Sequence, residues 1–210
     1  MCDKAFAWGA VGARHASPAN ARAWGFVVIA PRSSPIVHVS PPIAWALDSE
    51  WREAHETLAY LFKRRGAALD TVRYLARQIR QELQPLFEMF DRLAPMCCPG
   101  CETVCCLVAR VEFDFKDLLL LHALDLTPPP HQLHRHEDEH CRYLGPHGCG
   151  LPRLMRPFVC TWYFCAPMLE LYRREPPRTQ RFLSARMSAA QGNRREMETE
   201  FIRVVLSEPG

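Results

Sequence analysis

Apolar positions along the chain become regular only after about residue 45. From there Trp51, Ala54, Leu58, Leu61 and Phe62 recur at the spacing of one helical face. Asp48 or Ser49 stands where a helix cap belongs, Glu50 suits the positive end of the helix dipole, and Gly66 supplies a stop. A second, longer stripe follows at Leu69, Val72, Ala76, Ile79, Leu83, Leu86, Phe87 and Phe90, predicting a helix that ends before Pro95. Pro85 lies inside it and, lacking an N–H, is expected to kink it near Gln81. The short link between the two predicts an antiparallel helical hairpin over 48–94. Such stripes are most simply core.

Further on, Val111, Phe113 and Phe115 alternate as in a short strand. Asp114 can cap a short, very apolar helix, "FKDLLLLHALDL", halted by Pro128, Pro129 and Pro130. Residues 131–159 lack periodicity and read as loops held in place by something other than secondary structure. A C-terminal helix is predicted over 178–206 from Phe182, Met187, Met197, Phe201, Ile202 and Val205, with Gly192-Asn193 expected to divide it. Residues 1–45, broken by "SPAN", "APRSSP" and "SPP", read as a disordered N-terminal extension, with a short strand at Phe26–Ala30 as the alternative. The remaining 46–210 reads as a single domain.

Composition changes this picture little. Of 210 residues, 48% are hydrophobic and 23% charged, which suits an ordinary globular protein. A net charge of +3 does not by itself argue for nucleic acid or an anionic membrane. No apolar run approaches the ~18 residues needed to span a bilayer. The best signal-like stretch, "WGFVVIA" at Trp24–Ala30, is short and follows a long Ala-rich lead. The expected location is therefore the cytoplasm, with no membrane partner. Thiols stay reduced there, and dense cysteines more often hold metal than form disulfides.

The cysteines carry the chemistry. "CCPGCETVCC", residues 97–106, places five of the chain's ten cysteines in ten positions. "CRYLGPHGCGLPRLMRPFVCTWYFC" adds Cys141, Cys149, Cys160 and Cys165. Two separated clusters rich in Gly and Pro turns suit a centre that staples distant segments, because several sulfurs must converge and the chain must bend to bring them in. Thiolates of this kind take zinc or an iron–sulfur cluster. The run "HQLHRHEDEHC" offers His131, His134, His136 and His140 as further imidazoles, with His140 best placed beside Cys141. It follows three prolines and is otherwise charged, so it reads as a solvated linker. His55 and His122 lie on predicted helices and read as surface or satisfied core residues.

These elements resemble the YkgJ-type cysteine-cluster family, also called the zinc- or iron-chelating domain. The family's opening, its later Cys-x-x-Leu, its Gly-Cys and its Arg-Pro-x-x-Cys box are matched by "CPGCETVCC", "CRYL", "HGCGL" and "RPFVC", in that order, over residues 98–165. Three residues separate Cys101 from Cys105 where the family usually has two, and Cys97 is surplus beside Cys98. The resemblance implies metal chelation by Cys98, Cys101, Cys105, Cys106, Cys141, Cys149, Cys160 and Cys165, with Cys97 an alternative to Cys98. Eight sulfurs could make two sites of four thiolates, or one cluster with spare ligands. Adjacent Cys105 and Cys106 point in different directions in most backbone conformations and could serve different ions. Pro157 would rigidify the approach to Cys160, while Arg156 could donate hydrogen bonds near the anionic sulfurs. Thr161 to Phe164 would surround the centre with aromatics.

The expected fold class is thus mainly α: a helical hairpin plus a C-terminal helix packed around a loop-rich cysteine-metal centre at 97–165. The expected function is metal binding, zinc or iron, with no assignable catalytic activity. No Gly-rich phosphate loop, G-x-S-x-G elbow or H-E-x-x-H pair is present in the sequence. One alternative is an iron–sulfur enzyme, because the cysteine domain is also similar to that of flagellin lysine N-methylases. Another is a zinc-stabilised adaptor for nucleic acid or protein, suggested by eight Arg against five Glu from Leu171 onward. Nucleic acid is the weaker of those two partners, because stacking aromatics are not interleaved there.

Overall fold

The computed structural model describes residues 44–99, 101, 104–134, 140–146 and 148–207. The expected N-terminal extension, with its alternative strand, lies outside them except for Ala44 and Trp45. The described chain is mainly α. Its helices are α1 (Asp48–Arg65), α2 (Asp70–Cys97), α3 (Cys105–Val108), α4 (Phe115–Ala123), α5 (Ala166–Arg173) and α6 (Pro177–Leu206). The two-residue strands β1 (Leu144–Gly145) and β2 (Gly148–Cys149) form a small antiparallel hairpin.

The first two helices start and stop close to where the pattern places them. Glu50 reaches back to the Leu47 N–H at 3.4 Å, and Gly66, at φ 48°, closes α1 before a 3-10 turn leads into α2. Asp48 does not cap the helix with its side chain. It accepts instead from Arg142 Nη1 at 3.1 Å and pairs with His131 Nδ1 at 2.9 Å, tying α1 to the loop before β1.

Helix α2 runs through both Pro85 and Pro95 to Cys97, beyond its expected end. Pro95 removes one backbone donor, but the next turn is kept by Cys98 N–H donating to the Ala94 carbonyl at 2.8 Å. The Cys97 thiol also lies 3.7 Å from the Leu93 carbonyl.

The partners of the predicted hairpin are elsewhere. Helix α2 lies chiefly along α6, and α1 packs on α4. The reason is written in two stripes. Val72, Ala76, Ile79, Leu83, Leu86, Phe90 and Leu93 are buried on α2, and Leu183, Met187, Ala190, Arg194, Met197, Phe201 and Val204 on α6. Both alternate steps of four and three, the spacing of a coiled-coil seam. Phe182 and Ile202, two of the apolar residues that predict this helix, fall off the seam and are 44% and 45% exposed. Nor does Gly192 divide α6, which is continuous. A glycine in a helix interior costs about 1 kcal/mol against alanine, less than burying Met187, Ala190 and Met197 beside it contributes.

No strand forms at 111–115. The Gln132 side chain takes the place of a neighbouring strand: its Oε1 accepts from Phe113 N–H at 2.8 Å and its Nε2 donates to the Phe113 carbonyl at 3.3 Å. Helix α4 begins as expected, with Asp114 accepting from Asp117 N–H at 2.8 Å and Asp117 reaching back to Asp114 N–H at 3.1 Å. It ends at Ala123, short of the prolines, with six of its nine residues buried and none exposed. Helix α5 was not visible in the pattern, since its eight residues bury only Met168 and Tyr172.

Among the described residues the apolar core falls into two clusters along the α2–α6 pair. The larger joins the N-terminal half of α2 and the C-terminal half of α6 to α1 and α4. The smaller joins the opposite halves to α5 and Phe164. The two long helices are therefore antiparallel.

Candidate metal centre

Nine cysteines, Cys97 to Cys165, are free thiols among the described residues. Cys97 ends α2, and Cys98 follows it at the surface. Cys101 N–H bonds back to the Cys98 carbonyl at 3.1 Å, a turn that brings the chain round. Cys105 and Cys106 open α3. Successive helical residues diverge by about 100°, so their sulfurs face different neighbours. Cys141 is buried, and its N–H donates to the Cys106 carbonyl at 3.2 Å. Cys149 lies on β2 opposite Leu144. Its hairpin turns at Gly148, whose φ of 100° favours glycine. Cys160 sits in a 3-10 turn, Phe158–Thr161, that begins after Pro157. Cys165 occupies the position just before the first residue of α5.

The thiols gather into two sets. In one, the Cys106 thiol is hydrogen-bonded to Cys141, and Cys149 and Cys160 lie near enough to act on its charge. In the other, the Cys105 thiol is hydrogen-bonded to Cys165, which also accepts from Cys97; Cys98 accepts from Cys97 as well, and Cys101 stands beside both Cys97 and Cys105. Packing divides them the same way. Cys106, Cys141 and Cys149 lie on the larger core cluster, Cys97 and Cys165 on the smaller.

Each set contains one sulfur that favours its thiolate. The donated Cys106 thiol, and then the amides of Tyr143 and Leu144, hold Cys141 at about 6 against the effect of burial. The donated Cys105 thiol does the same for Cys165, at about 6, helped by the Met168 amide at the start of α5. The donors Cys105 and Cys106 are pushed up correspondingly. Burial, then Cys149 and Cys141, pushes Cys160 up to about 12, with Arg156 pulling the other way. Burial and the neighbouring Cys98 likewise push Cys97 up to about 12.

The second expected support residue, Pro157, is buried at the entry to the Cys160 turn. Arg156 donates to the Leu151 carbonyl at 2.9 Å and remains a charge neighbour of Cys160. Among the described residues no three His, Cys, Asp or Glu side chains stand close enough together to hold a metal ion as they are placed. In donor chemistry each set nonetheless suits a soft thiolate-binding metal.

Compared with protein-family models, curated proteins and solved structures, the chain finds no match.

Two supporting features were missed in the sequence. Arg194 Nη1 donates to Asp117 at 2.7 Å and Nη2 to Asp114 at 2.9 Å, while its guanidinium lies 4.4 Å from the Phe158 ring centroid. Asp117 also accepts from Phe158 N–H at 3.0 Å, so this buried pair fixes the turn carrying Cys160. Burial pushes Asp117 up to about 6 against the pull of Arg194. The only advance signal was the position of Arg194 on the α6 stripe.

The second feature is the histidine segment. Gln132, Leu133 and His134 are buried, not solvated. The Tyr143 hydroxyl donates to the His131 carbonyl at 2.6 Å and accepts from its N–H at 3.0 Å. This anchors the segment beside Cys141. His136 lies outside the described residues, and His140 is exposed. His55 and His122 share a 2.8 Å hydrogen bond away from the thiols, each lowered by burial, His55 to about 4. No helix among the described residues is long and apolar enough to cross a membrane.

Proposed function

We propose that this chain is a metal-binding cysteine-cluster protein of the YkgJ type, holding zinc or iron in a cytoplasmic setting and carrying no catalytic site of its own. The observation that carries the reading is the gathering of thiols from the end of α2, α3, the β1–β2 hairpin, the Cys160 turn and the start of α5. In each set a thiol proton is shared with a neighbouring sulfur. Metal ligation requires such protons to leave, and binding releases them to solvent.

Bound zinc would act as a structural cross-link, and bound iron–sulfur would add electron transfer. The protein's own contribution is to hold the sulfurs: Asp117 and Arg194 fix the Cys160 turn, Gln132 fixes the strand-like segment after α3, and α5 presents Cys165. The adaptor alternative gains little from the C-terminal arginines. Arg186 pairs with Glu82, Arg194 with Asp117 and Arg203 with Glu200.

The test is metal content and visible absorbance of protein purified without oxygen. Zinc without colour supports a structural metal protein. Iron with matching sulfide and a band near ~400 nm supports a cluster. Protein without either metal, and without free thiols, overturns the reading in favour of disulfides.

A further inference from the structure

The two thiol sets differ in more than membership, and the difference bears on how many centres there are. Cys105 and Cys106 are neighbours in sequence, yet they bond to sulfurs from opposite ends of the second cysteine segment, Cys165 and Cys141. A single centre would require both to turn toward one point, against the divergence imposed by α3. It would also require sulfurs packed on the larger core cluster to meet sulfurs packed on the smaller.

We infer that the chain holds two separate metal centres, an inner one on Cys106, Cys141, Cys149 and Cys160 and an outer one on Cys97, Cys101, Cys105 and Cys165. This rests on the metal-binding reading above and deepens it. The turn between Cys105 and Cys106 is where the chain passes from one centre to the other. Four thiolates suffice for a closed zinc site or for one cluster.

Cys97 completes the outer set in place of Cys98. Its thiol is shared between Cys98 and Cys165, and it alone of the Cys97–Cys98 pair lies on the smaller core cluster, whereas Cys98 is exposed. The centres also differ in access. Cys141, at 8% exposure, is covered by the larger core cluster, and Cys160 is tied down through the Asp117–Phe158 contact. The outer set is built on a helix end and a helix start, and none of its four cysteines is fully buried. A chelator therefore reaches the outer centre first.

The experiment uses the full chain as purified, with its metal quantified first. It is stripped in steps with a chelator, and thiols uncovered at each step are alkylated and located by peptide mass spectrometry. At half loss of metal, Cys97, Cys101, Cys105 and Cys165 are expected to be labelled as a block, with Cys106, Cys141, Cys149 and Cys160 still protected. Cys98 is expected to react before any metal leaves.

Parallel labelling of all eight, or of Cys105 together with Cys106, would overturn the two-centre assignment while leaving metal binding intact. Protection of Cys98 with the outer block, and early labelling of Cys97, would overturn the choice of fourth ligand. Absence of metal at the start is the separate failure of the chelation reading itself. As an independent check, Cys165→Ser and Cys141→Ser should each keep half of the metal. Complete loss in both folded variants would point to one shared centre.

Discussion

Arg194 and Asp117 are 4% and 6% exposed, and each owes its tolerated burial to the other. A buried ion pair contributes little net stability, but removing one partner strands a charge at a cost of roughly 3–5 kcal/mol. Arg194→Ala should therefore be destabilised by about that much at pH 7.5. The pH dependence follows from the raised Asp117 carboxyl. A group whose folded pKa lies above its unfolded value of 3.8 stabilises the fold below 3.8, and that contribution is lost as pH rises through about 6. Without Arg194 the carboxyl rises further, so the variant's deficit should narrow between pH 7.5 and pH 5. The His55–His122 pair titrates in both proteins and cancels from the difference. Denaturant unfolding of variant and parent at the two pH values checks this, and a deficit that widens on acidification would contradict it.

Among the elements, glycines at two positions make opposite demands. Gly148 turns the β1–β2 hairpin at φ 100°, where an L side chain is strained whatever space surrounds it. Gly192 lies inside α6, and apart from its chain neighbours and the adjoining helix backbone no atom comes within 4 Å of where a Cβ would be. Gly148→Ala should therefore cost about 1–2 kcal/mol. Gly192→Ala should add about 0.5–1 kcal/mol. Thermal unfolding of the two variants reads both signs, and the first change should also loosen Cys149.

The same pair marks how far the elements were legible. The apolar stripes located α1, α2, α4 and α6, whereas the hairpin between Cys141 and Cys149 lies in a stretch that reads as loops, because strands of two residues are too short to show a period. Pro95 and Gly192 looked like stops because local propensity favours one there, but packing along the α2–α6 seam outweighed it. The candidate thiols were all visible. A division into two sets was one of two arrangements left open, but which sulfurs fall in which set was not legible, because it depends on which halves of two antiparallel helices each segment rests upon. Gln132, His134 and Arg194 were read as surface residues or passed over, since partners far along the chain satisfy them.

At the scale of the whole molecule, the helical frame and the thiol-bearing loops draw on different forces. The α2–α6 seam, with α1, α4 and α5 on it, buries apolar side chains in two clusters and has no need of metal to do so. The described residues of 141–165 have little besides a hairpin of two-residue strands, short 3-10 turns and a few anchoring contacts. If zinc closed the whole fold, as in domains that are unfolded without it, stripping the metal would melt everything together. The packing predicts instead that chelation leaves most of the far-UV helical signal in place. Amide protection should be lost selectively across 141–165, while α2 and α6 keep theirs. Hydrogen exchange by mass spectrometry before and after chelation makes the comparison. Loss of protection in α2 at the same chelator concentration would mean that the metal holds the frame itself, and that the apolar seam alone is too weak to stand.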